Sequence, residues 1–231
     1  MRTGKLLLAS TIVMVAAFAG ASMAQEQRGA AAALSFGGLR FDGALNGGIE
    51  QARLDNGKLT IAAGPKTDFF NEVDGTTIYG NAPVVLTRID NTKPFTFVVR
   101  VAPKLASTYD AAAAYVWVDD KHWLKMALER DERGLARIVT VRTNGTSDDN
   151  NHDAVGAPSA FLKLSSDTKS IGFYYSIDGK TWQLVRVFRN DYPAALQLGL
   201  SAQSPTGTGT EAAFSGLSFT PASVRDFRLG E

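Results

Sequence analysis

The sequence predicts an all-β protein, built as a two-sheet antiparallel sandwich. Three observations lead there. After residue 54 the chain reads as short runs of β-branched, aromatic and aliphatic residues, several alternating apolar with polar at a period of two. Turn-forming pairs such as Asp178-Gly179 and Asn144-Gly145 punctuate those runs. Beyond residue 24 no segment carries helical periodicity, and no internal repeat or linker divides the chain. About a dozen strands in one domain cannot share a single layer, so two stacked sheets follow.

The elements are read in chain order. Arg2 and Lys5 form a basic start, residues 6–20 an apolar run, and Ala21-Ser22-Met23-Ala24 a small-residue stretch before Gln25 and Glu26. That order is the one signal peptidase reads, with cleavage expected after Ala24. The apolar run is shorter than the ~20 residues of a spanning helix. Residues 25–53 form an Ala/Gly-rich segment in which only 34–36 and 39–41 look structured. Strands are expected at 58–62 (after the Asp55-Asn56-Gly57 turn), 84–89, 95–101, 112–118 and 122–130. Further strands follow at 136–143, 161–164, 171–177, 182–188, 196–202 and 212–219. The sandwich thus occupies 54–220 and leaves 221–231 as a tail. Asp178-Gly179 predicts a two-residue hairpin, Asn144-Gly145 the end of another strand, and residues 131–134 a turn.

Composition excludes several chemistries. Without cysteine there is no disulfide, lipoprotein anchor, thiol nucleophile or zinc–thiolate site. Loss of residues 1–24 leaves 207 of 231 residues and removes Arg2 and Lys5, so 22 basic residues face 23 acidic ones. Nothing in that balance points to nucleic acid. A chain of this length buries a sizeable core unaided. There is no G-x-S-x-G elbow, phosphate-binding glycine loop or H-E-x-x-H pair. His122 and His152 are the only histidines, and His122 reads as a surface residue.

The segment from Trp123 to Glu129 is the most informative. Alternate residues of a strand face opposite sides. Leu124, Met126 and Leu128 then form a core face, and Trp123, Lys125 and Glu129 share the other. The preceding run splits likewise, with Val116 and Val118 inward and Tyr115 and Trp117 outward. Neighbouring strands would gather Tyr115, Trp117, Trp123, Lys125 and Glu129 on one outer face, expected to be reachable by solvent. Clustered aromatics rimmed by polar groups mark a binding surface, as in many sugar sites. The same composition fits a face covered by a loop or by the N-terminal segment.

The acidic residues offer two chemistries, catalysis and metal binding. Glu129 and Asp131 stand ~6.6 Å apart along a strand, tolerable for a glycosidase pair. Sandwich-type retaining β-glucanases carry E-x-D-x-x-E, however, and here the third acid is Gly134; Asp131 reads better as part of a turn. Calcium is the ion that residues 148–153 invite, with Asp148, Asp149 and Asp153 as candidate ligands. The run fails the EF-hand pattern, and a solvated loop is the favoured reading. Asn144-Gly145-Thr146 matches a glycosylation acceptor but is read as a turn.

Taken in order, residues 67–70, Tyr109-Asp110, Trp123-Leu124-Lys125 with Glu129, residues 141–148 and residues 175–182 resemble domain-of-unknown-function family 1349. That family includes the fungal regulation-of-enolase proteins and belongs to the concanavalin A-like lectin/glucanase superfamily. The resemblance runs from about Leu54 to Phe219. It implies a jelly-roll sandwich with a concave and a convex sheet, and it implies that Asp68, Trp123, Lys125, Glu129 and Asp148 line the concave face. Phe70 and Asp149 stand where the family typically carries tryptophan. Three functions are consistent with these readings: a module binding a saccharide or similar polar ligand, a glycoside hydrolase or lyase using Glu129 with Asp131, Asp68 or Asp148, and an envelope structural or protein-interaction domain. Carbohydrate is the expected partner, and the periplasm or the cell exterior the expected location.

Overall fold

The computed structural model describes residues 33–231, so the expected signal peptide lies outside the described residues. Two seven-stranded sheets make up the body. The front sheet runs β13 (Thr146–Ala154), β12 (Ala136–Asn144), β11 (His122–Arg130), β10 (Ala111–Asp119), β17 (Ala195–Gln203), β8 (Val84–Asp90) and β3 (Gly43–Leu45). The back sheet runs β16 (Gln183–Arg189), β15 (Ser170–Ser176), β14 (Ala160–Ser166), β9 (Phe95–Pro103), β18 (Thr210–Thr220), β5 (Lys58–Ala63) and β4 (Ala52–Asp55). Two short hairpins complete the described strands, β1 (Leu34–Phe36) with β2 (Leu39–Phe41) and β6 (Phe69–Asn71) with β7 (Ile78–Gly80). Every strand pairing is antiparallel, and no described residue is helical. The fold is the expected jelly-roll sandwich.

The core lies between the sheets. Leu124, Met126 and Leu128 of β11 meet Phe97, Val99 and Val101 of β9, Leu162 and Leu164 of β14, and Phe214 of β18, all of them buried. Strand alternation supplies this face from each element in turn. Phe36 and Phe41 of the first hairpin join the same core. The C-terminal tail lies on the outer face of the back sheet, where Lys163 Nζ donates to the Gly230 carbonyl at 2.7 Å and Tyr174 Oη to the Phe227 carbonyl at 2.9 Å.

Two local expectations are corrected. Residues 148–153 are not a loop but the middle of β13, which pairs with β12 through a one-residue turn at Gly145. Gly145 has φ +77°, a left-handed conformation that glycine adopts without strain. The run has no apolar alternation because β13 is an edge strand with little to bury. Nor is Asp178-Gly179 a two-residue hairpin. The connection spans residues 177–182, and the Asp178 carboxylate accepts from the Lys180 and Thr181 amides and from Ser176 Oγ. Those bonds hold the Asp178 carboxyl down at about 2. The sequence signal was a turn signal whose length the side chain set.

Candidate functional site

The outer face of the front sheet is where alternation collects the chemistry. In the register of β11 with β10, Trp123 faces Trp117 and Lys125 faces Tyr115. On the other side Lys125 faces Val141 of β12, which in turn faces Asp149 of β13. Glu129 faces Ala111 and Arg137. All share one face, and all but Asp149 and Arg137 are buried.

The aromatic half of this face is covered. The β6–β7 hairpin lies across it, and Phe69 packs edge-on against Trp117, Tyr115 and Trp123 with centroids 5.1, 6.1 and 6.4 Å away. Trp117 and Trp123 stack at 6.3 Å. With 0%, 5% and 0% exposure, Tyr115, Trp117 and Trp123 form a second apolar cluster rather than the solvent-reachable platform expected from sequence. Among the described residues the cover comes from residues 69–80, with Leu45 of the N-terminal segment packed against the same cluster. Polar anchors fix it. Asn71 donates its amide N–H to Ser147 Oγ, and its side-chain nitrogen to the carbonyls of Asp120 and Gly145. Asn46 donates to the carbonyls of Gly80 and Ala82.

Beside the hairpin the charged half stays open as a cavity of about 250 Å³. Lys125, Glu129, Val139, Val141, Asp149 and Gln203 line it from the sheet. Asp68, Phe70, Glu72 and Tyr79 line it from the hairpin region, and Tyr109 from the loop before β10. A second cavity, of about 460 Å³, lies on the hairpin's other flank and shares Tyr79 with the first.

Lys125 is fully committed. Its ammonium donates to the Phe69 carbonyl at 2.9 Å and to Gln203 Oε1 at 3.2 Å, and it stands 3.7 Å from the Asp68 carboxylate. It pins the hairpin to the sheet. Glu129, only 7% exposed, has no hydrogen-bond partner for its carboxyl among the described residues. Its register neighbour Arg137 turns away, with Nε on Asp131 at 2.8 Å and Nη1 on the His152 carbonyl. Burial pushes the Glu129 carboxyl up to about 8; Lys125 opposes that rise, while Asp68, Asp149 and Glu132 add to it. Asp149 sits on the edge strand and is exposed as a residue, yet its carboxyl turned toward the cavity is also raised, chiefly by desolvation.

Tyr109 adds strain. Its φ is +67°, uncommon for a residue with a side chain, and it lines the cavity. The loop is held by its amide bond to the Arg130 carbonyl at 2.7 Å and by buried Asp110, which accepts from the Ala106 and Ser107 amides and from Ser204 Oγ. Such conformations persist where the surroundings impose them, often at functional sites.

Of the residues singled out from sequence, Asp68, Lys125 and Glu129 meet in the cavity, with Asp149 of the candidate metal ligands. Asp148 does not: alternation along β13 gives that place to Asp149, and Asp148 is exposed on the opposite face. Asp131 is no partner for Glu129. It ends the strand, accepts from the Arg133 and Leu135 amides and pairs with Arg137, and these bonds outweigh its burial to lower its carboxyl. Asp153 accepts from Tyr175 Oη at 2.7 Å. No three His, Asp or Glu side chains among the described residues are grouped to hold a metal ion. Glu72, Tyr79 and Gln203 were missed. Gln203 was readable, because alternation on β17 puts it on the face of Gly199 and Ser201.

Comparison with known proteins gives consistent results. Residues 49–222 match a family described as protein of unknown function, DUF1349. Over 172 residues the chain is 33% identical to regulation of enolase protein 1 of Saccharomyces cerevisiae, covering 71% of this chain and 82% of that protein. A solved, functionally unknown protein from Saccharomyces cerevisiae superposes with TM-score 0.71 at 29% identity, over 79% of this chain and 97% of the other. A GH43 protein from Bacillus licheniformis shares the fold, with TM-score 0.58 at 18% identity, over 74% of this chain and 35% of its own.

Proposed function

The chain belongs to the DUF1349 family, and we propose that it works as an exported module that binds a saccharide or a similar small polar ligand in the cavity beside the β6–β7 hairpin. The observation that carries this reading is the Glu129 carboxyl: on a residue only 7% exposed, without a hydrogen-bond partner among the described residues, and lining open space. A ligand hydroxyl or other polar group can pair with it there. Phe70, Tyr79 and Tyr109 supply aromatic walls, and Gln203 a further hydrogen-bonding group. At about 250 Å³ the space lies just below the common ~300–1,000 Å³ range of ligand pockets.

A second reading, acid–base cleavage of a glycosidic bond, is favoured by a specific observation. A carboxyl pushed up to about 8 stands in the same cavity as the Asp68 and Asp149 carboxyls, and such chemistry uses a proton-holding acid with a second carboxyl nearby. One experiment separates the readings: the purified protein and its Glu129→Gln variant are run on a glycan array, with sugar release measured from every glycan retained. Retention by the parent and loss in the variant support binding, and release of product supports catalysis. A parent that retains nothing overturns both.

Export belongs to the same proposal and rests on the basic, apolar, small-residue order of residues 1–24. Intact mass of exported material should place its first residue at Gln25. A full-length chain in a membrane fraction would count against it.

A further inference from the structure

We infer that the ligand of this cavity carries a protonated amine, so that within the saccharide reading, on which this inference rests, the preferred class is an amino sugar with its amine free. The charges facing the space are unbalanced. Among the described residues Asp68, Glu72 and Asp149 line it together with Glu129, which keeps its proton up to about pH 8 and offers a neutral polar group, against one cation, Lys125.

That cation is largely engaged. Of its three donors, Lys125 gives two to the Phe69 carbonyl and Gln203 Oε1, and the Asp68 carboxyl stands 3.7 Å away as its ion-pair partner. An anionic ligand would meet four carboxyl groups beside a lysine that is already paired. The acceptors are in the opposite condition. Among the described residues the carboxyls of Glu72, Glu129 and Asp149 accept no hydrogen bond from another residue's side chain, and Glu129 is also buried.

The rest of the wall agrees. Phe70, Tyr79 and Tyr109 bring three aromatic rings to the same space, and ring faces attract ammonium groups. Carboxyl acceptors favour an amine that keeps its N–H donors over a quaternary one. Hydrogen bonds to charged groups are the strong kind, so charge should decide among sugars of equal size.

The test uses the mature protein and four disaccharides: a glucosamine dimer, its N-acetylated form, and a glucose dimer and a uronate-containing dimer close to it in size. Binding is measured by calorimetry at pH 6, where the free amine is charged. The glucosamine dimer should bind at least about tenfold tighter than the neutral two, a difference one charge-assisted hydrogen bond can supply. The uronate should be the weakest. Raising salt from roughly 0.05 to 0.5 M should erode only the amine's advantage, because it shortens the screening length. Asp149→Asn and Glu72→Gln, both outside the buried core, should each reduce the preference several-fold with the thermal melt unchanged. Equal binding of amine and neutral dimers, or preference for the uronate, would overturn charge selection and leave the saccharide site standing. Binding of none of the four would overturn both.

Discussion

Glu129 couples binding to stability through its proton. Its carboxyl ordinarily titrates near 4.5 and stands at about 8 in the fold, with burial as the main cause. Between those values the folded chain keeps a proton that the unfolded chain has lost. Stability is therefore complete below about pH 4.5, falls as pH rises, and levels off above about pH 8. The slope approaches about 1.4 kcal/mol per pH unit. Glu129→Gln removes the ionisation at nearly constant shape. Urea melts should show the variant equal to the parent at pH 4 and more stable by a few kcal/mol, roughly, at pH 8. Parallel parent and variant profiles would mean that the carboxyl is solvated and the cavity misjudged. Tyr109 is a second case of the same kind. Its φ of +67° costs about 1–3 kcal/mol that glycine would not incur. Tyr109→Gly should leave the melting temperature unchanged or raised, because relief of strain offsets the looser unfolded chain, while ligand affinity drops with the ring. A cooperative loss of fold would place Tyr109 in the core instead.

At the scale of the element, one strand serves two interiors. Leu128 of β11 faces the core between the sheets, while Ala127 before it faces the cluster under the hairpin and Glu129 after it faces the cavity. Leu128→Ala should cost about 2–5 kcal/mol through a core cavity. Trp117→Ala should cost about 3–5 kcal/mol as well, because Trp117 is 5% exposed beneath Phe69. Val73, 71% exposed at the hairpin tip, should accept serine within about 0.5 kcal/mol. A Trp117 change as mild as the Val73 one would return the aromatic face to solvent. The sequence made half of this visible. Alternation along β11 placed Lys125 and Glu129 on one face because the period of two is a property of the backbone, independent of what covers it. The cover was hidden. Its strands are three residues each, too short for a period to show, and its hold on the sheet comes from Asn71, Asn46 and Lys125 bonds that join residues 34 to 76 positions apart. β13 was hidden for another reason. Its pairing is backbone to backbone, and its Asp, Asn and His side chains carry no strand signal while keeping a sheet edge from recruiting another strand.

For the whole molecule, the question is what closes the sandwich. β18, the last strand, lies between β9 and β5, and β17 lies between β10 and β8, so both sheets need the end of the chain to join strands made early. The resulting core runs continuously from Phe36 to Leu217 and holds the fold through apolar burial. The acids that first invited calcium take no common part in this. Asp149 turns to the cavity, Asp153 to Tyr175, and Asp148 to the opposite face. A bound ion could stabilise the fold only by binding the native state more tightly than the unfolded chain, and these carboxylates converge on no common point. Thermal melts in a strong chelator and in millimolar calcium should therefore superimpose. If calcium raised the midpoint by many degrees, β13 would have to rearrange into a ligand loop, and the side of the cavity that Asp149 provides would be drawn wrongly. Coincident curves would leave the sandwich standing on its core alone, with the charged cavity free for a ligand that is not a metal.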